Sequence, residues 1–304
     1  AGVRACAVWI LGEVRSPKAV GPITAALKDE DELVRARAAE ALGRQKEPIA
    51  PSPLIAALAD ESALVRRSAA SALGRLAAPD AAGPLLVCLK DADASVRCAA
   101  VRAVGQIGGA DTLAPIITAA EDENEHVRAA AVEALTDREG ERVVDVGLAA
   151  LRDDSRYVRR AAVCMLGTQK DARVIPAIIE RLEDDVPILR TVAAGMLGSL
   201  GDLRAVDPLI QALRDPSTGV RILSARALGK LGSSRATEAL TLLLKDEDLY
   251  VRMNAAEALG ELGDIRPLQQ LLTHEDEYVR GAARNALDRV QSKAAPSTAP
   301  AGTP

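Results

Sequence analysis

An arginine preceded by valine or leucine recurs at Arg4, Arg35, Arg66, Arg97, Arg128, Arg159, Arg190, Arg221 and Arg252, each 31 residues after the last, and again at Arg280 after 28. So strict a period rules out a single irregular globule. It requires one short supersecondary motif stacked on copies of itself, because a motif of that length cannot bury a core alone. Two further positions keep the phase. Three residues after each arginine stands a small residue: Ala7, Ala38, Ala69, Ala100, Ala131, Ala162, Ala193, Ser224, Ala255 and Ala283. Seven after it stands an aliphatic one: Leu11, Leu42, Leu73, Val104, Leu135, Leu166, Leu197, Leu228, Leu259 and Leu287. Steps of three and then four follow one face of a helix. A small residue on that face predicts close approach of neighbouring helices.

The ends of this helix are marked as well. Four residues before the arginine come Asp31, Ser62, Asp93, Asn124, Ser155, Ser217, Asp248 and Asp276, the types whose side chains accept from the unpaired N–H groups of a helix start. Val186 breaks the series, but Pro187 follows it and suits a first helical position. Gly12, Gly43, Gly74, Gly105, Gly167, Gly198, Gly229 and Gly260 lie near the other end, where a left-handed cap is expected. An earlier helix is announced by Pro22, Pro53, Pro84, Pro115 and Pro208, all in one phase, and by Pro267 after a short loop deletion. Proline at a helix entrance gives up only an N–H that would be unpaired anyway. Each repeat is therefore helix A, tight turn, helix B, loop. The expected fold is all-α, a right-handed α/α superhelical solenoid of about ten 31-residue repeats over residues 1–291. The first repeat lacks its helix A, so an apolar face near Val8 and Leu11 is expected to need a cover from sequence preceding it. Residues 292–304, rich in Pro, Ala, Ser and Thr, are expected to form a disordered tail.

Composition agrees with thin, closely packed helices. Hydrophobic residues make up 48% of the 304-residue chain but aromatics only 1%, with no Phe, whereas a compact core of this size recruits large rings. The net charge of −5 argues against nucleic acid as the main partner, since that role needs a basic footprint. Cys6, Cys88, Cys98 and Cys164 form neither a CxxC pair nor a disulfide framework, which suits a reducing, cytoplasmic setting. Of the four, Cys6 and Cys164 are the candidates for surface exposure. No apolar run reaches the length of a membrane span.

The strings DEDELVRARAAEALGRQ, DEDLYVRMNAAEALGEL and DSRYVRRAAVCMLGTQ resemble the short HEAT-like repeat first named from bilin lyases of phycobilisomes. The resemblance covers about residues 1–291. In that family an aspartate is paired with the repeating arginine to form a ladder between successive repeats. Here Asp29, Asp60, Asp91, Asp122, Asp153, Asp184, Asp215 and Asp246 lie six residues before Arg35, Arg66, Arg97, Arg128, Arg159, Arg190, Arg221 and Arg252, and His274 takes that place in the last repeat. A turn aspartate can accept from both N–H groups and a guanidinium fork. The ladder is structural, because a catalytic site would not occur eight times. Arg128→Ala is expected to destabilise by about 1–3 kcal/mol through an unpaired partner.

Positions −2, +2, +5 and +9 relative to the arginine vary and fall on one stripe of helix B. Position −2 holds Leu33, Leu64, Ser95, His126, Tyr157, Ile188, Gly219, Tyr250 and Tyr278, and position +5 holds the single Trp9. By resemblance, B helices line the concave surface of the solenoid. Trp, Tyr and Arg are enriched in binding hot spots, so Trp9, Arg44, Arg75, Arg102, His126, Tyr157, Arg226, Tyr250 and Tyr278 are the candidate partner-binding residues. The alternative for each tyrosine is packing on the preceding turn. Mixed charge on the stripe favours a protein or peptide partner. The expected function is a non-catalytic interaction scaffold, without cofactor, as a monomeric array or as part of a longer chain.

The resemblance also implies enzyme alternatives, a bilin lyase or isomerase and a deoxyhypusine hydroxylase-like oxidoreductase. The second needs several His-Glu pairs around two irons, and this chain has only His126 and His274. No phosphate loop, nucleophile elbow or zinc-ligand spacing is present. Within residues 127–157, Thr136 and Val146 replace the usual Gly and Pro, so that repeat is expected to be irregular.

Overall fold

In the computed structural model, residues 1–45 and 49–294 are described, 291–294 as backbone only. Nineteen α-helices and no strand occur among them. The B helices are α1 (Gly2–Val14), α3 (Glu32–Leu42), α5 (Ala63–Arg75), α7 (Ala94–Ile107), α9 (Glu125–Ala134), α11 (Arg156–Leu166), α13 (Pro187–Leu200), α15 (Thr218–Leu231), α17 (Leu249–Leu262) and α19 (Glu277–Ala294). The A helices between them are α2 (Pro17–Ala26), α4 (Ser52–Ala57), α6 (Ala82–Cys88), α8 (Leu113–Ala119), α10 (Glu141–Ala150), α12 (Val174–Ile179), α14 (Val206–Ala212), α16 (Thr237–Leu243) and α18 (Ile265–Leu271). The chain divides into two compact units, Ala1–Met165 and Leu166–Pro304. B helices pack side by side from α1 to α9 in the first unit and from α13 to α19 in the second, and α2, α4, α6, α8, α12, α14, α16 and α18 each pack on the B helix that follows. Helix α19 continues to Ala294, past the start assigned to the tail, and the rest of the tail lies outside the described residues.

From the second repeat on, the core is built from the phase positions. The valine or leucine before the arginine is sealed (Val65, Val96, Val127, Leu189, Val220 and Val251), as are the small residue after it (Ala69, Ala100, Ala193 and Ala255) and the aliphatic seven after it (Leu73, Val104, Leu197 and Leu228). The prolines sit in the first turn of short A helices, often behind a 3-10 turn whose last residue (Ala81, Thr112, Ala205, Ala236) is buried. Pro22 is the exception: α2 begins earlier, at Pro17, where Ser16 caps it. Asp31, Asp93, Asn124 and Asp248 accept N–H groups of the first turn as expected, whereas Ser62 and Ser217 stand at the cap without a side-chain bond. In the irregular repeat α9 stops at Ala134, and Arg138 reaches back to the carbonyl of Gly109 at 3.2 Å. On α1 Val8 is buried and Leu11 half-buried, and the exposed apolar side chains are Val3, Trp9, Ile10 and Val14.

The glycines eight residues after the arginine are not left-handed caps. Gly43 has φ −66°, an ordinary helical value. Its role is steric: a Cβ there would stand 2.7 Å from Ala72 Cα on the next B helix. Gly74 faces Ala103, Gly198 faces Ala227 and Gly229 faces Ala258 in the same way, each with backbone within 2.9 Å of the missing Cβ. A glycine-on-alanine seam thus sets the spacing of B helices. The left-handed positions lie three residues further on, at Gly201, Gly232 and Gly263.

The ladder joins the repeats at their loops. Arg35 Nε and Nη2 donate to the two carboxylate oxygens of Asp60 at 2.8 and 2.9 Å, and Nη1 donates to the carbonyls of Asp29 and Glu30 at 2.9 and 3.0 Å. Arg66–Asp91, Arg97–Asp122, Arg128–Asp153 and Arg190–Asp215 repeat this fork, and Arg221 reaches Asp246 with Nε and Nη2 both at 2.9 Å. Each such aspartate therefore serves two arginines. Its carboxylate takes the arginine 25 residues before it, and its carbonyl takes the one six residues after it. The carboxylate also accepts the N–H two residues on, as Asp91 does from Asp93 at 2.9 Å. At the last rung His274 Nδ1 keeps that turn by accepting from Asp276 N–H, and Arg252 moves to Asp276 Oδ2 at 2.7 Å. The Arg66 fork holds the Asp91 carboxyl below its ordinary pKa, against burial. For Asp122 burial is the largest influence and pushes upward, but the Arg97 fork and the Asn124 N–H outweigh it.

Candidate partner-binding face

The B-helix face away from the core is where the repeats differ. Trp9 is 47% exposed, Tyr157 40%, Tyr250 65% and Tyr278 66%, so none of the large rings is used to fill the core. His126 and Tyr157, at equivalent positions of successive repeats, meet with ring centroids 5.5 Å apart. Arg156 also lies over the Tyr157 ring, 5.0 Å from its centroid, and donates to its hydroxyl at 3.0 Å. Arg44 donates to Glu13 at 2.8 Å and is 3.5 Å from Glu40. Arg102 stands 3.7 Å from Glu133, and Arg226 is exposed.

In the Ala1–Met165 unit this face contains a cleft of about 600 Å³ between α5, α7 and the start of α9. Its charged lining is Arg67, Arg75 and Arg102, its polar lining includes Ser71, Ser95, Gln106 and His126, and its floor is Ala99 and Ala103. Arg75 is held across the helix seam, donating to the Gly43 carbonyl at 3.3 Å. Burial, and then the nearby charge of Arg44, keep it below the ordinary arginine pKa. Cys98 donates its thiol to the His126 carbonyl at 3.6 Å. Burial pushes the Cys98 and Cys164 thiols up, away from the thiolate a nucleophile needs. Cys6 is exposed, Cys164 only half-buried like Cys98, and Cys88 is buried.

Arg75, Arg102 and His126 of the expected stripe come together here. One part of the stripe is misplaced. Position +2 is closed in mid-array, with Ser68 3%, Ala130 0% and Ala161 3% exposed. It shares an edge with position +6, four residues on, whose alanines meet the glycine of the preceding repeat. Position +1 opens instead at Arg67 and Cys98, which line the cleft.

Residues 1–74, 82–146, 144–218 and 206–288 match HEAT repeats. The chain belongs to the HEAT-repeat family. Residues 65–91 also match the PBS lyase HEAT-like repeat. No curated protein matches the HEAT chain. Among solved structures it is similar to YibA of Escherichia coli, at 23% identity and a TM-score of 0.65, over 87% of this chain and 98% of that one. It is also similar to an engineered protein, at 19% identity and a TM-score of 0.52, over 94% and 95% of the two chains. Against Kap95p, in a structure with RanGDP, identity is 14% and the TM-score 0.62, over 93% of this chain and 46% of Kap95p. Identities this low establish a shared HEAT solenoid fold. No helix among the described residues is long and apolar enough to cross a membrane.

Proposed function

We propose that this HEAT-repeat chain is a non-catalytic scaffold that holds a protein or peptide partner along its B-helix face. The observation that carries the reading is where the costly residues stand. A core built almost wholly of Ala, Val and Leu leaves every tyrosine and the single tryptophan on that face, at 40–66% exposure. Exposed aromatic and arginine side chains are the groups that supply most binding energy at protein interfaces. The resemblance to Kap95p, whose structure includes a bound protein, supports this use of the fold, although fold alone does not set function. Among the described residues no three His, Cys, Asp or Glu side chains converge as metal ligands would.

The test is a pull-down from lysate with the intact chain and with a Trp9→Ala/Tyr157→Ala/Tyr250→Ala/Tyr278→Ala variant of unchanged melting temperature. The intact chain is expected to retain specific proteins that the variant loses. Equal recovery by both would overturn the reading.

A further inference from the structure

The cleft of the Ala1–Met165 unit differs from the rest of the face in its charge balance. Elsewhere on that unit's face the arginines are neutralised by neighbours: Arg37 and Arg44 share Glu40, Arg44 also takes Glu13, and Arg160 approaches Glu133. Inside the cleft no carboxylate lines the wall, and Arg67 and Arg75 have no carboxylate partner among the described residues. Three guanidinium groups therefore face one space of about 600 Å³, a size typical of ligand sites. The weak competitors are Glu133, 3.7 Å from an Arg102 that is 59% exposed, and Glu40, whose charge acts on Arg75 without an ion pair. Arg75 spends its Nε on the Gly43 carbonyl, which leaves its terminal nitrogens, and the fork of Arg67, to take a carboxylate two bonds at a time.

We propose that this cleft is the subsite that reads an acidic segment of the partner, binding two carboxylate side chains of an extended peptide. The proposal rests on the scaffold reading above and names the chemistry of its ligand. Arg75 and Arg102 lie on adjacent B helices, whose axes stand roughly 8–10 Å apart. An extended peptide crossing them rises about 3.3 Å per residue and returns each second side chain to the same face. Two acidic residues separated by one other, each reached by a flexible guanidinium arm, match that spacing. Ser71, Ser95 and Gln106 offer hydrogen bonds to the peptide backbone, and the Ala99–Ala103 floor admits it closely. The ion pairs at either side, Glu13–Arg44–Glu40 and Glu133–Arg160, end the positive strip after about two repeats. A continuous phosphate backbone would run into those carboxylates, whereas a short acidic segment ends before them.

Random twelve-residue peptides displayed on phage, selected against the full chain, test this directly. The expected consensus carries two Asp or Glu residues one apart. A fluorescein-labelled consensus peptide should lose roughly tenfold or more in affinity against Arg75→Ala/Arg102→Ala, recover part of it with Arg75→Lys/Arg102→Lys, and be unchanged by Val87→Ser/Leu242→Ser on the A helices. Melting temperatures identify any variant that misfolds, and the lysine pair keeps the test valid if the alanine pair does. Peptides lacking acidic residues, or bound equally by the arginine variants, overturn the proposal. If those peptides still depend on the Trp9 and tyrosine positions, the scaffold reading survives alone. If no peptide is enriched, both fail. Replacement of Glu by phosphoserine that tightens binding tenfold, or equal binding of a twenty-nucleotide poly-dT strand, would also overturn the carboxylate assignment.

Discussion

The two compact units are alike behind their B-helix faces and unlike on them. In Ala1–Met165 the face is charged, with an arginine cleft bordered by ion pairs. In Leu166–Pro304 it is apolar along its middle: Ile188, Tyr250 and Tyr278 are exposed, and Val192, Ile222, Leu223 and Met253 are half-buried. Beneath both runs the same rung, Arg97–Asp122 in one and Arg221–Asp246 in the other, and the same seam, Gly74 on Ala103 and Gly229 on Ala258. What holds the repeats together is thus independent of what they present.

The comparison is broken most directly at the rungs. Arg97→Ala and Arg221→Ala, each from a pair largely out of solvent, should each destabilise by about 3 kcal/mol, because a partly buried carboxylate loses its fork. Urea denaturation followed by hydrogen exchange in each unit measures both, and a gap well above 1 kcal/mol between them would show that the two scaffolds are not equivalent. Gly74→Ala and Gly229→Ala come next, at about 1–3 kcal/mol, since the added methyl meets backbone of the next helix. The same denaturation series checks this, and a neutral result would mean the seam can open.

Acid should act on both units in one direction. Asp91, through the Arg66 fork, and Asp215, where burial pushes upward most but the Arg190 fork and the Ser217 N–H together outweigh it, titrate below their ordinary value of 3.8. A carboxylate depressed in the folded state binds fewer protons there than when unfolded. Its stabilisation is complete above the ordinary value and is lost as pH falls through the folded one. Stability measured from pH 7 downward should stay level until about pH 5 and drop below about pH 4, with Asp91→Asn flattening part of that drop. The smallest effects belong to the faces. Arg75→Ala/Arg102→Ala and Tyr250→Ala/Tyr278→Ala should each stay within about 0.5 kcal/mol in the same assay, and a larger loss in either pair would mean that its face is part of the scaffold.

Most of the scaffold was legible because it is written in phase. The cap residues, the buried valine before each arginine and the small residue after it follow from spacing alone. The glycines were assigned the wrong task, since a glycine near a helix end suits a left-handed turn and a close contact equally, and only the position of Ala72 or Ala103 on the next helix decides. The direction of the rungs was equally hidden: an aspartate six residues before an arginine looks like its partner, yet the carboxylate turns to the arginine 25 residues earlier. On the face, the rings and Arg75, Arg102 and His126 were readable as departures from the pattern. Arg67 was not, because position +1 is open at Arg67 yet closed at Ala36 and Ala129. Which edge stays open depends on the bulk of neighbouring side chains, and period does not encode that.

The doubled duty of each turn aspartate carries a consequence for the length of the array. Because Arg66 reaches Asp91 across the same 25 residues that separate Arg97 from Asp122, cutting out residues 67–97 would bring Asp122 to the spot Asp91 had occupied. Helix, loop and guanidinium fork would close again over the gap, so the molecule behaves as a set of interchangeable tiles, shortened or extended in whole tiles and intolerant of fractions.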